Sequence, residues 1–186
     1  RFGTALAEHL LGHPGASTAE ELLALSPGGE GKTFQQLYEE LVNKIREKIV
    51  IGRIARAEGT LGTYVHHDGK TAVIFEAEGE AKNAGVLRDV AMHIAAMKPA
   101  VVNVEDLDPA VVQAERDRLS EEARAAGKTE NIISKIVDGR RGVFYREDAG
   151  VLTEQPYAKD DSKSVSQALA EAGLKAKNFT LWVLGG

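Results

Sequence analysis

The chain has 186 residues, no cysteine, 43% hydrophobic side chains and a formal net charge of −5 from 23 basic and 28 acidic groups. This is enough apolar material for a core in one or two domains, and the missing thiols exclude a disulfide framework, a thiolate zinc site and a cysteine nucleophile. The acidic balance argues against a broad phosphate-neutralising surface, and so against nucleic acid as partner. With no apolar run near the roughly 20 residues of a bilayer span and no signal-peptide pattern, a soluble, intracellular protein is expected. The chain opens at Arg1 inside a helical pattern, as a piece of something longer would.

Phe2, Ala5, Leu6 and Leu10 recur at helical spacing and predict a helix over residues 2–12, stopped by Gly12 and Pro14. A second helix is expected over about 17–25, with Ser17 or Thr18 as its cap. A third starts near Thr33 and carries Phe34, Leu37, Leu41, Ile45 and Ile49. From Ile49 to Ala57 the pattern turns β-branched, with Arg53 and Arg56 interleaved, and reads as a strand. Asp68-Gly69 suits the positive φ angles of a type I′ turn, so residues 63–67 and 70–77 read as a hairpin. Val73, Phe75 and Ala77 share one face of it, and Tyr64 and His66 share a face of the partner strand. A helix over about 81–98 turns Leu87, Val90, Ala91, Ile94 and Met97 inward and ends at Pro99.

The composition then shifts. Asp108-Pro109 opens a charged helix reaching about Ala126, with a thin apolar stripe of Val112, Leu119, Ala123 and Ala126. Gly127-Lys128 turns the chain, Thr129 can cap again, and Ile132, Ile133, Ile136, Val137 and Phe144 line a returning helix. So short a link demands antiparallel packing, and the narrow stripe suggests a projecting, coiled-coil-like hairpin. Residues 151–157 read as extended, 164–172 as a short helix, and 178–184 as a final strand with Phe179, Leu181 and Val183 on one side and Trp182 on the other. The fold class is α+β: small antiparallel sheets covered by helices, with an inserted helical hairpin.

No candidate chemistry is strong. Gly31-Lys32-Thr33 resembles the end of a phosphate loop, but Ser26 stands where that motif needs glycine and a helix precedes it instead of a buried strand. His9 and His13 have the spacing of paired helical ligands, yet lack the glutamate beside the first and meet helix breakers at Gly12 and Pro14. His66 and His67, as strand neighbours, should point to opposite faces. His93, at the edge of an apolar helical face, reads as a partly buried, hydrogen-bonded histidine. Glu147, Asp148 and Glu154 read as a solvated acidic segment. With no catalytic residue, metal site or cofactor site expected, contact with another protein is the expected mode of action.

Five blocks carry more. Lys48-Ile-Val-Ile-Gly-Arg-Ile-Ala-Arg56, Gly62-Thr-Tyr-Val-His66, Asp89-Val-Ala-Met-His-Ile-Ala-Ala96 with Pro99, Lys135-Ile-Val-Asp-Gly-Arg140 and Leu152-Thr-Glu-Gln-Pro-Tyr-Ala-Lys-Asp160 stand in this order. Together they resemble the elongation factor Ts family, the bacterial and organellar exchange factors for elongation factor Tu. The resemblance implies that residues 1–58 are the remainder of a first core half. Residues 59–103 and 148–186 would form a second half, interrupted by the helical hairpin at 104–147. It also implies that the second half touches the third domain of elongation factor Tu, through His66 and through Ala158 and Lys159 with the adjoining Tyr157. The family's N-terminal helical domain and its Thr-Asp-Phe-Val motif, which disturbs the GTPase's magnesium site, would lie before Arg1. The implied function is guanine nucleotide exchange in translation elongation, by binding and without catalysis. Two other readings stay open: a fragment that docks without exchanging nucleotide, and a helical-hairpin oligomerisation protein unrelated to translation; a homodimer through the helical hairpin is left open as well.

Overall fold

A computed structural model describes residues 2–13, 15–28 and 31–185; Pro14, expected to help stop the first helix, lies outside them. The chain divides into two compact units, Arg1–Ala57 and Glu58–Gly186.

The first unit is helical, with α1 (Phe2–Gly12), α2 (Ala19–Ala24) and α3 (Phe34–Ile45). Two capping boxes set its helix starts. Thr18 and Glu21 satisfy each other's backbone N–H groups at α2, and Thr33 and Gln36 do the same at α3. Phe34 is fully buried with Leu6, Leu10, Ala16 and Leu22, and meets the Phe2 ring edge-on at 6.4 Å. Helix α3 stops at Ile45 because Arg46 adopts a left-handed cap at φ 56°, so Ile49 lies beyond the helix that was expected to carry it. The strand expected at 49–57 is also corrected. Ile51 and Ile54, three residues apart, pack on the helical core, a repeat of three where a strand buries every second residue. The segment is fastened by the Tyr38 hydroxyl, which donates to the Ile49 carbonyl at 2.7 Å.

The second unit is built on an antiparallel sheet of β1 (Thr60–Val65), β2 (Thr71–Gly79) and β5 (Leu174–Val183), in the order β1-β2-β5. Alternation puts Val73, Phe75 and Ala77 on one face, where they meet Val86, Leu87, Val90, Ala91 and Ile94 of α4 (Gly85–Met97). Met97, expected inward, is 51% exposed at the last position of the helix. The opposite sheet face carries Val65, Ala72 and Trp182 side by side in register. Strand β5 begins four residues earlier than its alternation suggests. A bulge between Glu76 and Ala77 of β2 skips Lys177, so Leu174 and Ala176 face the core on one parity and Phe179 and Leu181 on the other.

Between β2 and β5 run α5 (Pro109–Ala125), α6 (Glu130–Val143), β3 (Pro156–Tyr157), β4 (Asp160–Ser164) and α7 (Val165–Glu171). Asp108 caps α5 by accepting from Ala110 N–H at 2.8 Å. Helices α5 and α6 share a small cluster of Leu119, Ala123, Ile133 and Val137, while Ala126 and Ile132 of the expected stripe stay exposed. A turn of π-helix, Phe144–Asp148, ends the returning helix. The extended stretch expected from 151 to 157 is interrupted by a 3-10 turn, Leu152–Glu154, with Val151 and Gln155 extended on either side of it and a strand at Pro156–Tyr157.

Helix α4 approaches β1 so closely because residue 62 has no side chain. A Cβ there would overlap the carbonyl oxygen and carbon of Leu87. Backbone atoms cannot yield as a flexible side chain can. Gly62→Ala should therefore lower stability by about 2–3 kcal/mol in chemical denaturation, as overpacking of a close-packed contact does.

Candidate functional site

Two exposed turns carry the residues singled out in the sequence, and both are tied to α4. The first follows β1. His66 N–H donates to the Thr71 carbonyl at 2.8 Å, Gly69 N–H donates to the His66 carbonyl at 2.9 Å, and only Gly69 of the expected Asp68-Gly69 pair takes a positive φ, 68°. The turn is therefore longer than the two-residue type I′ turn that was expected, and β1 ends at Val65. His66 and His67 consequently leave the strand, and their rings sit 4.2 Å apart instead of on opposite faces. The Tyr64 hydroxyl and His66 Nδ1 are hydrogen bonded at 2.9 Å, and the Arg88 guanidinium of α4 lies 6.0 Å from the Tyr64 ring centre. Asp68 is held below the ordinary carboxylate range, chiefly because Lys70 N–H donates to it at 2.8 Å.

The second turn joins β3 to β4, where Tyr157 pairs with Asp160 and leaves Ala158 and Lys159 as the two central residues. Both are exposed, whereas Tyr157 is buried against the main core. Burial pushes the Tyr157 phenol up, and the neighbouring Asp89 carboxylate adds to that shift. Asp89, on α4 directly after Arg88, also pairs with the Lys159 ammonium at 2.7 Å. One helical turn on, His93 is 1% exposed, more deeply buried than its sequence position suggested. Its Nε2 meets Gln155 Oε1 at 3.0 Å, and its Nδ1 accepts the Ala158 N–H at 3.3 Å. An imidazole that accepts at Nδ1 and meets a carbonyl-type oxygen at Nε2 carries its proton on Nε2.

Consecutive residues of one helix thus bear on both turns: Arg88 lies over the ring of Tyr64, whose hydroxyl is bonded to His66, and Asp89 faces Tyr157 and Lys159. The supporting roles of Asp89 and Gln155 escaped the sequence reading. The available signal was the i, i+4 pair Asp89 and His93, two polar residues on a helix otherwise rich in buried apolar ones.

The remaining candidates have local partners. Lys32 pairs with Glu40 at 2.6 Å, and Thr33 spends its hydroxyl on the α3 cap. The His9 and His13 rings stack at 4.4 Å. One surface depression, about 710 Å³ and lined by Asn103, Thr153, Ser166 and Lys175 among others, contains none of the residues of the two turns.

These features define an α+β protein in which His66, Ala158 and Lys159 stand on turns beside helix α4. The whole chain, residues 1–186, matches the family model described as Elongation factor TS. It is similar to elongation factor Ts of Aquifex aeolicus, 41% identical over 163 residues, which covers 84% of this chain and 56% of that protein. It is similar also to elongation factor Ts of Hyphomonas neptunium, at 39% identity over 87% of this chain and 55% of that protein. A third relative, elongation factor Ts of Paenarthrobacter aurescens, is 39% identical over 92% of this chain and 63% of that protein. The chain belongs to the elongation factor Ts family. It spans between 55% and 63% of the length of these curated relatives.

Burial holds the His93 imidazole below its ordinary value of 6.5, an effect partly offset by the bond to Gln155. Below pH 6.5 the unfolded chain takes up a proton that the native ring resists, so the native advantage is full above that pH and shrinks as pH falls toward the depressed value. The melting temperature should therefore drop between pH 7 and pH 5. The drop should be smaller in His93→Asn, which has no such proton to bind, as differential scanning calorimetry across that range would register.

Proposed function

We propose that this chain docks onto elongation factor Tu through the two turns, and that this docking serves guanine nucleotide exchange in translation elongation. The observation that carries the reading is the display of His66, Ala158 and Lys159 on turns tied to neighbouring residues of α4, joined to membership of the elongation factor Ts family. In this reading residues 59–103 and 148–186 are the second core half, which meets the third domain of the GTPase. Residues 104–147 are its hairpin insertion, and residues 1–58 are the remainder of the first half.

The proposed activity needs no acid, base or nucleotide pocket in this chain. An exchange factor works by linkage: if it binds the nucleotide-free GTPase more tightly than the GDP form, GDP must weaken its binding by the same factor. The exposed turns supply affinity, and the difference in affinity between the two states supplies the displacement. In this division of labour His66 and Lys159 contribute to holding the partner whether or not GDP is released.

The test pairs fluorescent-GDP release from elongation factor Tu with a pull-down of the same two proteins. Exchange predicts faster release, and docking alone predicts capture with an unchanged release rate. Absence of both would overturn the proposal. His66→Ala should weaken capture by about 1–2 kcal/mol, roughly five- to thirtyfold, as truncation of a contact residue does. Its melting temperature should move by only about 2–3 °C, because a half-exposed turn residue contributes little to the core. A sharp fall in melting temperature would instead make His66 a structural residue.

A further inference from the structure

The conformation of the second turn is not set by its own residues. A two-residue hairpin turn that matches the twist of its strands needs positive φ at one or both central positions, usually from glycine or asparagine. Ala158 and Lys159 supply neither residue type, and neither takes a positive φ. The hairpin around them is also minimal: β3 is two residues long, and its register shifts between Pro156 and Tyr157. Something outside the hairpin must hold the turn, and what reaches it comes from α4. His93 Nδ1 takes the Ala158 N–H, Asp89 takes the Lys159 ammonium, and the two anchors are one helical turn apart on a helix that is itself locked into the core.

We propose that His93 and Asp89 are positioning residues that preset the docking turn: they hold Ala158 and Lys159 in the conformation that meets elongation factor Tu, without touching the partner themselves. The inference rests on the docking reading above and deepens it. His93 is buried beneath the turn, and Asp89 lies mostly covered under Lys159. Presetting raises affinity because the ordering of the turn is completed before association, so less conformational freedom is lost when the partner binds. The Nε2–H bond to Gln155 serves this by fixing the ring tautomer that leaves Nδ1 free to accept.

The ring's two nitrogens can be separated by substitution. An asparagine amide overlays the Nδ1 side of a histidine, and a glutamine amide overlays the Nε2 side. His93→Asn therefore keeps an acceptor for Ala158 N–H and gives up the bond to Gln155. His93→Gln keeps the bond to Gln155 and releases Ala158. Affinity for elongation factor Tu is measured by calorimetry, and amide hydrogen exchange at Ala158 is measured in the free chain. The expected result is binding about three- to tenfold weaker in His93→Gln with faster exchange at Ala158, and binding within about twofold of the parent chain in His93→Asn with protection retained. Asp89→Asn, on the flank of the helix where folding is less at risk, should weaken binding by about two- to threefold while leaving protection at Ala158 intact. Equal losses in His93→Gln and His93→Asn would make His93 a purely structural residue and overturn the proposal, as would parental affinity in His93→Gln and Asp89→Asn. If the parent chain itself fails to bind while Ala158 stays protected, the docking reading falls and takes this inference with it; loss of protection in the parent chain would overturn the clamp alone.

Discussion

The contact between Gly62 and the Leu87 carbonyl governs much of the second unit. A helix normally rests on a sheet through interdigitated side chains, at a distance those side chains set. Here one strand residue has nothing to interpose, so the α4 backbone comes down onto β1. That depth brings Val90, Ala91 and Ile94 to full burial against Phe75 and Val73, and it fixes which way the next polar residues of the helix point. Arg88 follows Leu87 immediately, and Asp89 follows Arg88. A shift of the helix away from the sheet would move both, and with them the contacts to Tyr64 and Lys159.

Helix α4 therefore has two jobs that are usually kept apart. Its apolar positions form the core, and its polar positions reach the turns that the core itself leaves undetermined. Burying His93 is tolerable only because both ring nitrogens find partners; an unsatisfied buried nitrogen would cost about 1–3 kcal/mol. The surface pair Asp89–Lys159 contributes little to stability by itself, since its ammonium is about half exposed. Its value lies in direction, because it sets where a long, flexible side chain is found.

The sequence made the helices legible wherever a cap and an apolar stripe agreed, as at Thr33 with Phe34 and at Asp108 with Pro109. It misled where a local irregularity changed the count. The bulge opposite Glu76 and Ala77 hides the first four residues of β5, because Leu174 and Ala176 belong to one alternation and Phe179 and Leu181 to another. Residues 49–57 are β-branched for packing against helices, and composition alone cannot tell that from pairing in a ladder. The turn after β1 was recognised as a turn, but its length decided where His66 and His67 point, and length was read one step too short. The residues of the candidate site came from family resemblance. The contacts behind them, from Asp89, His93 and Gln155, join positions more than 60 residues apart, and only their helical end is marked along the chain, by the spacing of Asp89 and His93.

Trp182 is the chain's single tryptophan, and it lies on β5 in the face of the sheet turned away from α4, level with Ala72. Its indole therefore reports on the sheet of the second unit. Emission followed during denaturation traces the melting of the sheet, while the helical first unit, whose one phenol is Tyr38, changes with little fluorescence signal of its own. Far-ultraviolet dichroism weighs the two units together. A mismatch between the two curves would be a direct reading of how far the cohesion of one unit is independent of the other.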